Sequence, residues 1–359
     1  MLLAERAVTL QHTHFFRFFK STVWLSQMTY IILGDLSLPL LGRFMKIARQ
    51  IEAPVTKRLA IYFWHLCFLV AISLSLCSCA KAPYHPQGDM FPNPEPFQDE
   101  PQISRGEPNV VVDGLGNYLF SLPEKLILWN WKMGSHDISP ETEAVMQTYL
   151  ERNQLKEVKV RLNEYAPIGE WRRLVNNDGV GAGWRYSLGL LSWLFYTILP
   201  GRLLGGDAYN PYTNSIYLYS DVPAVALHEG GHAKDIAGRN WKGSRAALYI
   251  LPTAPLFIEA RATNDALGYS LDTDPKLLDS GYKVLYPAYG TYVGSEALGA
   301  VPIVGTLIGA VGAIPGHILG RIKASNVRER YPEDFPPDDD GEHETPVAEE
   351  TEPTTSTEE

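Results

Sequence analysis

The pattern of apolar and polar positions in the middle of the chain predicts helices that alternate with short strands. A helical stretch opens at Pro140 and runs to about Leu155, and residues 158–162 then alternate as in a strand. After a long excursion, residues 214–220 form a second alternating, β-prone stretch that ends where another helical pattern begins. This order predicts an α+β fold that is mostly helical, with a small mixed sheet.

The excursion, residues 166–213, contains an apolar run from Tyr186 to Gly201. Its sixteen uncharged residues are too few to cross a bilayer comfortably, because a spanning helix needs about 20. The run therefore predicts a helix that covers the core, with a contact at the membrane surface as the alternative.

Residues 297–320 form a longer apolar segment without Lys, Arg, Asp or Glu. Glycines recur in it at a spacing that lets two helices approach closely. They are Gly305, Gly309, Gly312, Gly316 and Gly320. Two interpretations stay open for residues 294–325, a Gly-rich helical hairpin and a transmembrane segment.

An apolar segment from Leu59 to Cys79 holds all three cysteines of the chain. A basic stretch that starts at Met45 precedes it, so residues 45–79 are interpreted as a signal segment. The run from Leu76 to Ala80 resembles the bacterial lipobox, which predicts that Cys79 is lipidated and anchors the mature chain. An uncleaved transmembrane helix is the alternative.

Composition suggests what surrounds these segments. Residues 1–44 are interpreted as an overextended start, and the Pro-rich residues 80–104 predict a flexible tether. Residues 331–359 hold twelve Asp and Glu and no Lys or Arg, which predicts a disordered acidic tail. This tail accounts for the net charge of −10, so the rest is near neutral and nothing supports nucleic-acid binding. One globular domain is expected over residues 105–293.

The run HEGGH, from His228 to His232, is an instance of H-E-x-x-H. On a helix, residues four apart lie on one face, so both imidazoles can point at the same metal ion. Glu229 lies beside the first imidazole and can take a proton from a water molecule there. A solvated surface helix is the alternative. Gly230 and Gly231 would destabilise such a helix and fit better where a neighbouring chain segment or a substrate approaches closely.

Local signals also bound the helix that carries this motif. Asp221 is a good N-cap, Pro223 suits the first turn, and Gly238 is a natural stop. We therefore expect a helix over residues 221–238.

A third protein ligand is expected later in the chain, because two imidazoles do not complete a catalytic metal site. A helical stretch from Pro255 to Gly268 carries Glu259 directly after an apolar Leu-Phe-Ile run, so this carboxylate is expected to point inward. A buried, unpaired Glu is costly, and coordination to a cation relieves that cost. A Glu on the polar side of an amphipathic helix is the alternative.

HEGGH followed by a helix that reads E-A-R-A-x-N-D resembles the gluzincin metallopeptidases, and within them the HtpX-like membrane-associated group. The resemblance covers roughly residues 140–270. It implies a zincin-like core that binds Zn²⁺ through His228, His232 and Glu259, with Glu229 as the general base. It also implies a peptide or protein substrate. Together with the lipobox, it places the domain in the bacterial cell envelope, facing the periplasm.

One region departs from this resemblance. Such families usually carry an Asp three or four residues after the ligand Glu, where this chain has Ala262 and Thr263. Two other acids are therefore candidates to orient the ligands: Asp235, one turn beyond His232, and Asp265. For Asp235, a solvated position on the helix is the alternative.

Two further roles are expected of a zincin-like enzyme. The stretch 214–220 would run beside the metal helix and pair with an extended substrate. Tyr286, Tyr289 and Tyr292 are candidates to stabilise an oxyanion, with packing as the alternative for each. A hypothesis of a different class is a non-catalytic envelope lipoprotein whose zincin-like site is structural or vestigial.

Overall fold

The computed structural model describes residues 84–85, 101–204, 206–251, 253–297 and 302–336. The predictions for residues 1–44, for the signal segment with Cys79, and for most of the acidic tail lie outside these ranges. Within them the chain is mostly helical and forms a small mixed sheet. The predicted α+β class is confirmed.

The sheet has four strands over the described residues. In chain order they are β1 (Ile103–Arg105), β2 (Lys159–Leu162), β3 (Ala208–Asn210) and β4 (Ser215–Leu218). The spatial order is β1-β2-β4-β3, in which β1, β2 and β4 run parallel and β3 is antiparallel to β4. Every residue of β2 and β4 is buried, so the central pair of strands is covered on both faces.

The strand expected to pair with a substrate lies inside the sheet. Within residues 214–220, Ile216 of β4 pairs with Val160 of β2 on one side and with Tyr209 of β3 on the other. A strand paired on both sides has no free backbone groups for a third chain. The prediction for 214–220 is therefore wrong in this respect, and β3 is the edge strand on that side.

Helices make up most of the described chain. In order they are α1 (Val110–Leu115), α2 (Leu122–Leu128), α3 (Pro140–Arg152), α4 (Pro167–Asn176), α5 (Ala182–Trp184), α6 (Leu190–Ile198), α7 (Gly201–Leu204), α8 (Pro223–Ala237), α9 (Lys242–Ala247), α10 (Ala254–Thr273), α11 (Pro275–Ala297) and α12 (Pro302–Arg330). Short π-helical segments at Gly116–Phe120 and Arg185–Gly189, and 3-10 turns at Leu248–Ile250 and Pro332–Asp334, complete the regular structure.

Helix α8, which carries HEGGH, lies at the centre of the molecule. It packs against α3, α10 and α11 and touches β3 and β4. A Cβ atom on Gly230 would lie 2.5 Å from the Tyr149 ring, and one on Gly231 would lie 3.0 Å from the backbone of Ala262. The expectation that these glycines allow a close approach is confirmed, and the approaching groups are α3 and α10.

The start of α8 differs from the predicted cap. Val222 is the N-cap and makes no capping hydrogen bond with its side chain, while Gly238 ends the helix as expected. Asp221 instead accepts hydrogen bonds from the Ser139 backbone and from the Thr142 hydroxyl, at 3.0 and 2.6 Å, at the start of α3. This difference arises from tertiary packing, because the end of β4 places Asp221 beside the donors at the start of α3.

The Gly-rich segment forms one arm of a helical hairpin, α11 against α12. A Cβ atom on Gly290 would lie 2.2 Å from the Gly312 carbonyl oxygen, and one on Gly312 equally close to that of Gly290. The two backbones therefore touch at these glycines. Among the described residues no helix is long and apolar enough to cross a membrane. Of the two interpretations of 294–325, the described residues favour the hairpin, although its first arm begins at Pro275.

The structure also differs from the predicted boundaries upstream of α1. Tyr84, within the predicted tether, is only 7% exposed, and β1 already begins at Ile103. The predicted tether over 80–104 therefore includes residues that belong to the folded domain.

Helix α6 packs on α4 as expected of a cover helix, although its Ile198 is 70% exposed.

Candidate metal site

Helices α8 and α10 bring three predicted ligands together. The Nε2 atoms of His228 and His232 lie 3.1 Å apart, and Glu259 Oε2 lies 3.0 Å from the first and 3.4 Å from the second. Glu259 is 3% exposed, which confirms the expectation that it points inward. Three ligand-type atoms thus converge on one point between two packed helices.

The size of this triangle fits a small cation. Two ligands about 2.0–2.1 Å from a tetrahedral ion lie roughly 3.4 Å from each other. The observed separations of 3.0, 3.1 and 3.4 Å require only small adjustments to reach that spacing. The residues could therefore hold a tetrahedral metal ion without rearrangement of either helix.

Two hydroxyl groups orient the imidazoles from behind. Tyr249 Oη lies 3.1 Å from His232 Nδ1 and donates a hydrogen bond of 3.1 Å to Glu259 Oε1. Thr263 Oγ1 lies 3.3 Å from His228 Nδ1. Each hydroxyl oxygen can accept the Nδ1 proton, which leaves the lone pair of Nε2 facing the converging atoms.

Sequence reasoning missed both of these groups. Thr263 lies four residues after Glu259 and so shares its helix face, a signal that could have identified it. Tyr249 lies in the 3-10 turn before α10, and no spacing rule links that turn to the motif. Only the packing of the turn against α10 places its hydroxyl at the site.

Glu229 lies beside the two imidazoles. The ligand-type atoms of His228, Glu229 and His232 all fall within 4.8 Å of one another. Burial raises the pKa of Glu229, and the negative charge of Glu259 adds to that effect against the opposing influence of the imidazoles. A buried carboxylate with a raised pKa is suited to accept and release a proton.

Charges within the site are strongly coupled. Burial opposes ionisation of Glu259, but His232 and His228 outweigh it and hold the pKa of that carboxyl well below its usual range. Burial lowers the pKa of His232, and the negative charge of Glu259 overcomes this so that the pKa is raised. The lowered pKa favours the ionised form of Glu259, and its negative charge could attract a cation.

Neither acid proposed to orient the ligands bonds directly to an imidazole. Asp235 lies 2.8, 2.7 and 3.0 Å from the guanidinium groups of Arg239, Arg245 and Arg261, in that order. The negative charge of Asp235 contributes to raising the pKa of His232, so Asp235 acts on the site through its charge and without direct contact. Arg245 lies on α9, Arg261 lies on α10, and Arg239 follows the end of α8. These three arginines hold the Asp235 carboxylate away from the imidazole.

Asp265 belongs to a separate polar cluster. It accepts a hydrogen bond of 2.6 Å from Lys234 Nζ, a short one from the Tyr149 hydroxyl and one of 3.3 Å from the Tyr84 hydroxyl. Tyr84 also hydrogen-bonds to Asn153 at 2.8 Å. We call these residues, Tyr84, Tyr149, Asn153, Lys234 and Asp265, the lysine cluster.

Of the three candidate tyrosines, Tyr292 has a pKa that responds to the acids of the site. Tyr286 and Tyr289 are 1% and 5% exposed, whereas Tyr292 is 40% exposed. The charge of Glu259, followed by burial and the charge of Glu229, raises the pKa of Tyr292. Tyr292 therefore lies within electrostatic reach of Glu259 and Glu229.

No family model, curated protein or solved structure matches this chain. The interpretation of the site therefore rests on its own geometry and on the residues of the motif.

Proposed function

We propose that the chain is a zinc-dependent metallopeptidase with a zincin-like core, held in the bacterial cell envelope with the domain facing the periplasm. The observation that carries the proposal is the convergence of His228, His232 and Glu259 at 3.0–3.4 Å with the Glu229 carboxylate beside them. Two imidazoles and one carboxylate are a ligand set of catalytic zinc, which leaves a fourth position open.

Each residue of the site has a role in this proposal. Bound zinc would act as a Lewis acid that polarises the scissile carbonyl. Glu229 accepts a proton from the attacking water and passes it to the leaving amine. The Tyr292 hydroxyl is the candidate donor to the oxygen on which negative charge develops.

The sheet offers a place for the substrate. β3 is the edge strand next to α8, and an extended peptide can pair with an exposed strand edge through its backbone. The proposed substrate is therefore an extended segment of a peptide or protein laid along β3.

The test compares the full-length chain with its Glu229→Gln variant. The amide cannot take a proton, so we expect the variant to keep one bound zinc and its helical content but to lose peptide hydrolysis by about 10²–10⁴-fold. Glu141→Gln, an exposed substitution on α3, is the matched control and should leave turnover unchanged. Tyr292→Phe should reduce turnover without loss of metal.

The results also separate this proposal from its alternative. Zinc retained by a wild-type chain that cleaves no peptide would support a structural site on a non-catalytic envelope lipoprotein. Undiminished hydrolysis by Glu229→Gln would remove Glu229 as the base.

A further inference from the structure

A stripe of apolar side chains faces outward along the segment from α1 to the end of α2. Its members recur every three or four residues and are between 37% and 77% exposed. They are Val111, Leu115, Tyr118, Leu122, Leu126 and Trp129. This is the spacing of one helix face, and here that face is turned away from the core.

A charged side chain of the same segment is turned into the protein. Lys125 is 3% exposed, and its ammonium group donates to the backbone carbonyls of Trp131, at 2.7 Å, and Met133. Lys125 therefore lies inside with Leu128, while Leu122, Leu126 and Trp129 lie outside. A buried lysine beside exposed leucines and an exposed tryptophan departs from the usual order of a helix on a water-exposed surface.

The stripe continues onto helix α12. The Trp129 ring stacks on His317 with centroids 4.0 Å apart, and the Arg321 guanidinium lies 4.9 Å from the Trp129 ring. Beside this contact, Ile318 and Ile322 are 57% and 52% exposed, one turn apart on α12. We call the stripe together with these isoleucines the apolar surface. Exposed apolar side chains that lie together mark interaction sites on soluble domains.

The position of Tyr84 limits how far the domain can stand from the upstream apolar segment. Its side chain is buried, and its hydroxyl is bonded to Asn153 and Lys234, each at 2.8 Å. Cys79, the end of the apolar segment from Leu59, lies only five residues earlier. Five residues reach at most about 18 Å. A bilayer that holds the segment, by lipid on Cys79 or as an uncleaved helix, therefore lies within that distance of the domain surface at Tyr84.

We propose that the apolar surface lies in the interface of the lipid bilayer, so that the domain rests on the membrane. Trp129 and Tyr118 have the amphipathic rings that favour the headgroup level, and Ile318 and Ile322 would reach the acyl boundary. Arg321, stacked on Trp129, is placed to contact lipid phosphates. The inference rests on the membrane attachment in the proposed function and is independent of the peptidase activity.

The experiment uses the full chain reconstituted in vesicles of phosphatidylethanolamine and phosphatidylglycerol, with and without brominated acyl chains. Trp129→Phe and Trp241→Phe variants are measured beside the wild type, and each difference spectrum isolates the emission of one tryptophan. Trp241 is 78% exposed at the start of α9 and serves as the matched control. We expect the Trp129 emission to shift to shorter wavelength and to lose intensity with brominated lipid, while the Trp241 emission does neither.

Other outcomes would overturn the proposal. Trp129 emission that is shifted but not quenched by brominated lipid would mean that protein covers the apolar surface, either a second copy or another segment of this chain. Emission at long wavelength without quenching would mean that the surface faces water. Equal quenching of Trp129 and Trp241 would mean that this surface has no preference for lipid.

Discussion

Two polar clusters lie between the same pair of helices, α8 and α10. The lysine cluster contains Lys234, two residues after His232, and Asp265, six residues after Glu259. In both places a carboxylate of α10 faces polar side chains of α8 in a largely buried setting. The clusters differ in what neutralises the carboxylate.

In the lysine cluster the neutralising groups belong to the protein. Lys234 supplies a positive charge 2.6 Å from Asp265, and two tyrosine hydroxyls donate to the same carboxylate. At the metal site the Glu259 carboxylate faces two Nε2 atoms, which carry lone pairs when the imidazoles are neutral. Buried acceptors that face one another are costly unless a proton or a cation lies between them. In the first cluster the protein supplies the neutralising charge, while the second could hold an ion.

The largest expected effect separates the clusters by metal content. Glu259→Gln replaces a charged ligand by a neutral amide, so we expect bound zinc to fall from about one per chain to near zero. Helical content should persist, because the substitution keeps the side-chain shape. Metal analysis after gel filtration and far-UV circular dichroism measure the two quantities. Zinc retained in full by Glu259→Gln would show that this carboxylate is not a ligand.

The reciprocal substitution in the lysine cluster should act on stability. Asp265→Asn leaves the largely buried Lys234 without its charge partner, which should lower the free energy of unfolding by about 3 kcal/mol. Bound zinc should stay at the wild-type level. Urea unfolding of the metal-loaded variants measures this, with Asp272→Asn as the control, since the pair of Asp272 with Arg152 is about one-third exposed and should contribute less than about 1 kcal/mol.

A double variant sharpens this second prediction. Lys234→Met combined with Asp265→Asn removes both charges, so it should be less destabilised than Asp265→Asn alone. Equal destabilisation of the single and double variants would contradict the view that loss of the ion pair at Lys234 causes the destabilisation.

A smaller effect is expected from the hydroxyl behind the metal site. Tyr249→Phe removes the contacts to His232 Nδ1 and Glu259 Oε1, so zinc affinity should fall about 10–100-fold with the ligands intact. Competition with a zinc chelator gives the affinity. Tyr118→Phe, at a ring that is 77% exposed, is the control and should bind as the wild type does. An unchanged affinity in Tyr249→Phe would mean that the ligands hold their orientation without it.

The last prediction concerns Glu124, an acid whose burial is opposed only in part by the charge of Lys125. Burial, with the charge of Asp207, raises the pKa of Glu124 from 4.5 to about 8, against the opposing charge of Lys125. The folded state holds this proton more tightly than the unfolded chain, so the stability it contributes is present below about pH 4.5 and is lost as the pH rises towards 8. Glu124→Gln should make the free energy of unfolding, followed by urea titration at several pH values, less dependent on pH in this window. The same slope in variant and wild type would contradict the assigned shift.

Local patterns in the sequence were sufficient to predict the elements that carry the site. The order of helix, strand, strand, motif helix and ligand helix was confirmed, because hydrophobic periodicity and the Pro and Gly signals act within one element. The apolar run before Glu259 predicts that this side chain points inward, and it is buried. The helix α10 nevertheless runs on through the buried Gly268, the predicted end, to Thr273. The glycine spacing likewise anticipated a close helix contact in the hairpin of α11 and α12.

Contacts between distant segments could be decided only by the tertiary structure. Asp221 bonds to the start of α3 and not to its own helix, Asp235 binds arginines, and Asp265 pairs with Lys234, because packing brings each carboxylate next to donors of another element. The same holds for Tyr249, which reaches the metal site from a turn with no periodic relation to it. A side chain's type and spacing determine what it can bind, and the packing of helices against one another decides which partner lies within hydrogen-bond reach.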